Sequence, residues 1–175
     1  MKLFIFLIFF ISNLLAITKS EVYKSYKQQR YTKTCEEGTW IFNKNKNDDL
    51  FNSILSISCV NADMINNAIR ISKFMNKSKL SRHNASYIAT LYLIKKLLLQ
   101  LVYDKIDISN LSLPKSSHPL SIVFENIAQH NYKIQNEKYI VYDNGNKYIL
   151  SKTKNHKFSI EIYQNKNLIS KRIYW

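Results

Sequence analysis

Histidine and cysteine are the side chains of this chain best suited to acid–base, nucleophilic or metal chemistry. The four histidines are scattered, and none lies four residues from another: His83, His118, His130 and His156. The chain has no HExxH, CxxC or GxSxG motif, and its two glycines effectively exclude a glycine-rich phosphate loop. The sequence therefore predicts no catalytic residue, no metal site and no cofactor.

One enzymatic alternative stays open. A basic hydrolase or nuclease could use His83 and His118 as general acid and base, with a lysine stabilising the phosphate of the transition state. These two histidines are distant in sequence, so only the fold could bring them together. We keep this second alternative behind a non-enzymatic function.

The two cysteines, Cys35 and Cys59, are predicted to form a disulfide. They are 24 residues apart with no histidine nearby, which leaves too few ligands for a metal site. If residues 31–42 and 48–59 form an antiparallel helical hairpin that turns near Asn45, the two positions are offset by four residues, or about 6 Å. That offset is compatible with the α-carbon separation of up to about 7 Å that a disulfide allows.

The first 20 residues have the pattern of a secretory signal peptide. Lys2 precedes an unbroken apolar run from Leu3 to Ile11, and small or polar residues follow. The apolar run is short for a bilayer span. We predict cleavage after Ala16 or after Ser20, and a periplasmic, secreted or cell-surface protein, in keeping with an even number of cysteines.

The chain is strongly basic, with 26 Lys and Arg against 12 Asp and Glu and a net charge of +14. Removal of residues 1–20 would leave +12. An exported protein does not usually meet nucleic acid, so the charge favours an anionic envelope surface, an acidic glycan or an acidic protein. The abundance of Asn, Lys, Ile and Tyr is also typical of an AT-rich genome, which explains part of the charge without function.

Between Asp63 and Asp104 there is no acidic residue. The cations in this interval include a candidate anion-binding patch: Arg70, Lys73, Lys77, Lys79 and Arg82. Phe74 and Met75 lie among them, a mixture that suits a phosphate-bearing or acidic surface. The first alternative function is therefore binding of an anionic membrane or glycan through residues 70–96.

Residues 21–130 are predicted to form five or six helices. Tyr31, Cys35, Gly38 and Phe42 share one helical face. Further helices are predicted over 22–29, 48–59 and 62–75, and another begins at Pro119 with Ser117 or His118 as its cap.

The most apolar helix is predicted within residues 82–106. Fourteen of the 19 residues from Ala85 to Tyr103 are apolar or aromatic, as in a helix buried in a core or in lipid. Lys95 and Lys96 lie in its middle, where a lysine in a bilayer costs about 2.5–3.5 kcal/mol. We therefore predict the core helix of a soluble domain, with both lysines on one exposed strip.

From residue 131 the apolar pattern changes to a period of two. Asn144-Gly145 indicates a tight hairpin, and a second hairpin is predicted around the turn at Asn165–Asn167. Lys171 and Arg172 would protect the last strand from aggregation. We predict an α+β fold in which residues 131–175 form a three- or four-stranded antiparallel meander, packed by one face on the helices as one globular unit.

The segment SYKQQRYTKTCEEGTWIF resembles part of a tetratricopeptide or Sel1-like helical repeat. The resemblance is carried by Tyr31, Cys35, Gly38 and Trp40, and it covers one repeat of about 34 residues with no second copy. It implies a protein-binding scaffold rather than an enzyme. Together these observations predict an exported, non-enzymatic interaction or assembly protein of the bacterial envelope, with an envelope protein as its partner.

Overall fold

The computed structural model describes residues 17–175, so residues 1–16, which hold most of the predicted signal peptide, lie outside the described part of the chain. Within residues 17–175, helices come first and an antiparallel sheet follows, which confirms the α+β prediction. The helices are α1 (Lys19–Lys27), α2 (Tyr31–Asn45), α3 (Asp49–Asn61), α4 (Ile65–Ser72), α5 (Lys79–Asp104) and α6 (Pro119–Ala128). The strands are β1 (Lys133–Gln135), β2 (Lys138–Asp143), β3 (Asn146–Lys152), β4 (Phe158–Gln164) and β5 (Asn167–Tyr174).

Helix α1 begins three residues earlier than the sequence predicts because Thr18 caps it. The Thr18 hydroxyl accepts a hydrogen bond from the Glu21 backbone N–H, and the Glu21 carboxylate accepts one from the Thr18 N–H at 2.8 Å. This reciprocal pair satisfies two N–H groups that the helix leaves free. The salt bridge between Lys19 and Asp48, at 2.9 Å, joins α1 to the start of α3.

Helices α2 and α3 pack closely and are joined by the predicted disulfide between Cys35 and Cys59, whose α-carbons are 4.8 Å apart. Both cysteines are fully buried. Gly38 permits this close approach, since a Cβ there would lie 2.3 Å from Cδ1 of the buried Leu55. The disulfide prediction is therefore confirmed, and Gly38 lies three residues after Cys35 on the same helix.

Helix α4 is shorter than the predicted 62–75 segment. Asp63 adopts a left-handed conformation (φ 59°), which ends α3 and re-directs the chain before α4 begins at Ile65. Its backbone N–H bonds the Val60 carbonyl, so the turn satisfies part of the end of α3. An aspartate in this conformation is less common than a glycine, and its side chain has a role described below.

Helix α5 supplies the centre of the core, with six apolar side chains buried along one side: Ile88, Leu91, Ile94, Leu98, Leu101 and Val102. It contacts α3, α4, α6 and β3. The helix is long and apolar enough to cross a membrane by length and composition, and 39% of its most apolar stretch is buried in the fold. Its packing therefore matches the core helix that the sequence predicts.

The sheet has strands in the order β1-β2-β3-β4-β5, all antiparallel to their neighbours. Asn144 and Gly145 both have positive φ, as the predicted hairpin requires, and so do Asn165 and Lys166 in the last turn. The sheet has one strand more than predicted. Strand β1 has three residues and joins β2 through a turn without an Asn-Gly signal, so its sequence gives little evidence of a strand.

One face of the sheet packs on the helices, chiefly through α6 against β2 and α5 against β3. Its buried side chains alternate along the strands, and the pairs Tyr148–Ile162 and Leu150–Ile160 face each other across β3 and β4. Helix α6 contributes four buried apolar residues: Leu120, Val123, Phe124 and Ile127. A single core therefore connects the helical region and the sheet.

Candidate functional sites: a basic end, a buried lysine and an open sheet edge

The basic end of the helical region lies where α4 ends and α5 begins. Ser78 caps α5, and its side chain accepts a hydrogen bond from the Ser81 N–H at 3.0 Å. The carboxylate of Asp49, in the first turn of α3, accepts hydrogen bonds from the backbone N–H groups of Lys77 and Ser78 at 3.3 and 3.1 Å. The starts of α3 and α5 are thereby held side by side.

All five residues of the predicted patch are exposed at this end: Arg70, Lys73, Lys77, Lys79 and Arg82. Among the residues the structure describes, none of the five forms an ion pair with a carboxylate. Lys77 Nζ donates to the Asn47 carbonyl at 2.7 Å, and Arg82 Nη1 donates to the carbonyls of Asn76 and Lys77. Two of the five cations therefore also hold the loop that carries them.

Three large apolar side chains are exposed in the same region: Leu50, Phe74 and Leu80. Leu50 lies in the first turn of α3 and Leu80 in the first turn of α5, and Asp49 ties these two turns together. The basic end therefore combines charge with apolar surface, a combination that can contact a phosphate-bearing interface.

Lys95 does not lie on an exposed strip with Lys96, as the sequence predicts; its side chain is buried and only 2% exposed. Lys96 is exposed. Lys95 Nζ donates a hydrogen bond to Asn66 Oδ1 on α4 and lies 4.9 Å from the centre of the Tyr92 ring. The interpretation was wrong for Lys95 because adjacent residues on a helix are about 100° apart, and α4 covers only one of the two.

Burial, followed by the neighbouring charge of Lys96, lowers the pKa of Lys95 to about 8. The amine therefore still carries its proton at pH 7 and loses it as the pH rises through about 8. A buried cation is costly unless it is paired, and in the described residues Lys95 has no carboxylate partner. This side chain is a candidate functional group that the sequence reasoning missed.

Asp63 joins the helical region to the sheet. Its Oδ1 accepts hydrogen bonds from Arg172 Nη1 at 3.0 Å and from the Tyr174 hydroxyl at 2.7 Å, both on β5. His118 Nε2 lies 3.4 Å from the same oxygen. We call these four residues the Asp63 clasp.

Electrostatics favour an ionised carboxylate in the clasp. Burial opposes the charge, but the nearby His118 imidazole, the hydrogen bond from Tyr174 and the charge of Arg172 outweigh it and lower the pKa of Asp63. Burial, together with the negative charge of Asp63, raises the pKa of Tyr174. The phenol therefore stays protonated and donates, so the Asp63–Arg172 ion pair is strengthened by one neutral donor, the Tyr174 hydroxyl.

Lys95 and the clasp share a pocket of about 240 Å³, which we call the Lys95 pocket. It is lined by the α3–α4 turn and the start of α4 (residues 63–67), by Lys95, and by the end of the sheet (residues 173–175). Its walls include the apolar side chains of Met64, Ile65 and Ile173. A polar group of a small ligand can therefore contact Lys95 while the apolar part of the same ligand packs against these walls.

The two histidines considered for acid–base catalysis have different surroundings. His118 is buried and caps α6, with Nδ1 accepting a hydrogen bond from the Leu120 N–H at 3.2 Å. His83 is exposed and lines a groove formed with the segment before α6, a groove whose lining does not include His118. Within residues 17–175, no three His, Cys, Asp or Glu side chains are grouped to hold a metal ion.

Strand β5 forms one edge of the sheet, since among residues 17–175 β4 is the only strand that pairs with it. Leu168, Ile169 and Ile173 are about half exposed along it, and we call these three residues the β5 edge. Lys171 pairs with Glu161 on β4 at 2.8 Å and stays about half exposed, whereas Arg172 turns to the Asp63 clasp; protection of the edge by these two cations stays a prediction.

The four positions of the helical-repeat resemblance differ in their surroundings. Cys35 and Gly38 are buried between α2 and α3, Tyr31 is partly buried, and Trp40 is 81% exposed. The resemblance to a tetratricopeptide or Sel1-like repeat stays a prediction.

The sequence reasoning did not find the Asp63 clasp because its partners are 109 and 111 residues away along the chain. The only local sign is the break between two apolar helical patterns at Asp63. Comparisons with protein-family models, with curated proteins and with solved structures find no match, so the sites are interpreted from their own geometry.

Proposed function

We propose that this protein is an exported, non-enzymatic interaction protein of the bacterial envelope, and that the β5 edge binds an extended segment of a partner protein. The observation that carries the proposal is a strand of eight residues with exposed apolar side chains, which pairs with no second strand in the described part of the chain. Such an edge is a template for an added strand, whose backbone supplies affinity and whose side chains supply specificity.

The charges that usually protect an edge are engaged elsewhere. Proteins block edge pairing with lysines, inward charges, bulges or short strands. On β5, Lys171 is held by Glu161 and Arg172 by Asp63, which leaves Leu168 and Ile169 at the outer end of the strand. The register shift at Ile162/Tyr163 makes Ile169 an extra residue of β5 without a partner on β4, and pairing continues on both sides of it.

Charge favours a segment with acidic residues. Residues 131–175 contain nine Lys and Arg against three Asp and Glu. Of the three acids, Glu161 is already paired with Lys171. Complementary charge would speed the encounter with an acidic segment and orient it along the strand.

Export is part of the proposal and is supported by the buried disulfide, because such bonds persist in oxidising compartments. The capping of α1 by Thr18 bears on the two predicted cleavage positions. Cleavage after Ala16 keeps Thr18 and Lys19, whereas cleavage after Ser20 removes both contacts. We therefore favour a mature protein that begins at Ile17.

The test compares the two edges of the same sheet. Ile169 on β5 and Ile134 on β1 are 56% and 60% exposed, so Ile134 is a matched control. A photo-crosslinking residue placed at position 169 in cells should form a discrete adduct with an envelope protein, and one at position 134 should not. Purified partner should then protect the β5 amides from hydrogen exchange.

The same pair of positions gives the quantitative control. Ile169→Lys should weaken binding of the purified partner by about tenfold or more, since it places a charge in the added interface, whereas Ile134→Lys should leave affinity unchanged. Equal crosslinking from both positions, or protection of amides outside β5, would contradict strand addition at this edge.

A second candidate function is favoured by the basic end. Its five cations lack carboxylate partners among the described residues and lie near exposed Leu50 and Leu80. Apolar side chains among cations favour an anionic lipid surface over a glycan, because lipids accept both groups.

This candidate predicts co-sedimentation with vesicles that contain phosphatidylglycerol and little with phosphatidylcholine alone. Lys73→Glu combined with Lys79→Glu should abolish it, while Lys138→Glu combined with Lys154→Glu, the same charge change on the sheet, should not. Equal loss from both double variants would indicate attraction by net charge alone. We find no contact among the described residues that favours the hydrolase or nuclease alternative.

A further inference from the structure

We propose that the Lys95 pocket binds a small organic carboxylate with an apolar body, and that the Lys95 ammonium holds the carboxylate. The inference does not depend on strand addition at the β5 edge. It rests on a buried amine without an anionic partner, on a neighbouring carboxylate that is already engaged, and on the apolar walls around them.

The amine has unused hydrogen-bonding capacity. A lysine ammonium carries three N–H donors, and in the described residues one contact goes to Asn66 Oδ1 and the ring of Tyr92 covers another side. The side chain is 2% exposed, so solvent meets the amine only through the pocket that it lines. A carboxylate there would supply the charge and the acceptors that the protein does not.

Asp63 is not the anionic partner of Lys95, although it lines the same pocket. Its Oδ1 accepts from Arg172 and Tyr174, and the Arg172 guanidinium balances its charge. The charges of Asp63 and Arg172 therefore balance each other, and among the described side chains Lys95 remains a cation of the pocket without a carboxylate partner. The Asp63–Arg172 ion pair is therefore already formed, and the Lys95 amine is available to a ligand.

The walls of the pocket determine the rest of the ligand. Met64, Ile65, Ile173 and Trp175 supply apolar surface, and the volume of about 240 Å³ limits the body to one small ring or short branched chain. The side-chain amide of Asn67 also lines the pocket and can donate to the ligand. A short arylalkanoate or the last residue of a peptide fits this description.

Binding should weaken as pH rises through about 8, where Lys95 loses its proton. The other charged or titratable groups around the pocket are Lys96 and Tyr92 on α5, Asp63, Arg172 and His118 in the clasp, and Tyr174 on β5. Asp63 is already ionised above its lowered pKa, arginine stays charged, and the pKa of Tyr174 is raised, so none of these three changes charge between pH 6.5 and 9.

The experiment uses phenylacetate as the probe and phenylacetamide as its neutral analogue. Calorimetry on the chain beginning at Ile17 should show saturable binding of phenylacetate at pH 6.5, at least tenfold weaker binding at pH 9.5, and no binding of phenylacetamide. The Cε signal of Lys95 in carbon NMR should give a pKa near 8 that rises when phenylacetate is present.

Lys95→Met and Lys96→Met form the matched pair of variants. The lysines are adjacent on α5, but one is buried in the pocket and the other is exposed. Lys95→Met should weaken phenylacetate binding about tenfold or more while the protein keeps its native circular dichroism, since methionine retains the apolar stem. Lys96→Met should leave the affinity within about twofold.

A peptide arm identifies the source of the carboxylate. Acetyl-Ala-Phe with a free C-terminus should be compared with the same peptide as its amide, both against wild type and Lys95→Met. Tighter binding of the peptide acid than of phenylacetate assigns a polypeptide C-terminus, and the reverse assigns a free acid. The inference is overturned if no probe acid binds below 10 mM, or if Lys95→Met binds as well as wild type.

Discussion

The helical region and the sheet solve the problem of stability in different ways. The helices bury their apolar faces around α5, cap their ends with side chains such as Thr18, Asp48 and Ser78, and are cross-linked by one disulfide. The sheet is a meander of local hairpins that buries one face and leaves Leu168, Ile169 and Tyr142 exposed. The helical region is thus stabilised by a core, caps and a cross-link, whereas the sheet leaves apolar side chains exposed on its surface.

The difference also separates the kinds of site that each region can hold. A packed helical layer can bury a group such as Lys95 and shift its pKa, because neighbouring helices exclude water from it. An antiparallel sheet with open edges instead offers unpaired backbone groups over a length of several residues. The Asp63 clasp lies where the two regions meet, and it fixes β5 beside the Lys95 pocket.

The largest expected effect on stability is seen when an apolar residue in the core of the helical region is compared with one on the exposed edge of β5. Leu98→Ala should lower the free energy of unfolding by about 2–5 kcal/mol, because it leaves a cavity in the core beside fully buried neighbours. Leu168→Ala, on the exposed edge of β5, should change it by about 0.5 kcal/mol or less. Chemical denaturation of both variants measures the contrast, and equal losses would show that β5 is not a free surface.

Removal of the disulfide should have the next largest effect. Replacing Cys35 and Cys59 together by alanine should cost about 3 kcal/mol, because the bridge restrains a loop of 24 residues in the unfolded chain. Hydrogen exchange should show the loss of protection first in α2 and α3. A denaturation midpoint unchanged between the oxidised and reduced protein would contradict a stabilising bridge.

The Asp63 clasp predicts how the joint between the two regions responds to acid. Its pKa is lowered in the folded state, so its contribution to stability is present above the ordinary value of 3.8 and is lost as pH falls through and below that value. Asp63→Asn should cost about 1–3 kcal/mol at pH 6 and little at pH 2. The two unfolding curves, measured between these pH values, should therefore converge.

Asp104→Asn is the control for the acid experiment, since Asp104 is an exposed carboxylate in the last turn of α5 that forms no described ion pair. Its difference from wild type should stay small at both pH values. If Asp63→Asn and Asp104→Asn behave alike, the clasp does not hold the sheet to the helices.

The smallest effect concerns the start of the helical body. A chain that begins at Glu21 lacks the Thr18 cap and the Lys19–Asp48 pair, and should be less stable by about 1 kcal/mol than one that begins at Ile17. Denaturation of the two purified forms measures this difference. N-terminal sequencing of exported protein should give Ile17 as the first residue; a start at Glu21, or equal stability of both forms, would contradict it.

Much of the fold could be predicted because its signals are local. The apolar spacing in α2, the start of α6 at Pro119 and the Asn144-Gly145 turn each reflect contacts within a few residues. The disulfide followed from two helices and a turn between them. Strand β1 was missed because three residues without a strong turn signal carry little information.

What the sequence by itself determined is therefore the class of the fold, the order of its elements, the disulfide and the basic interval between Asp63 and Asp104. Only the tertiary structure decided which of two adjacent lysines is buried, since this depends on where α4 lies against α5. It also decided that Asp63 meets Arg172 and Tyr174. Periodicity identifies the apolar face of a helix or strand, but the partner of that face is set by packing between segments far apart in the chain. Both candidate binding sites, the β5 edge and the Lys95 pocket, arise from that packing.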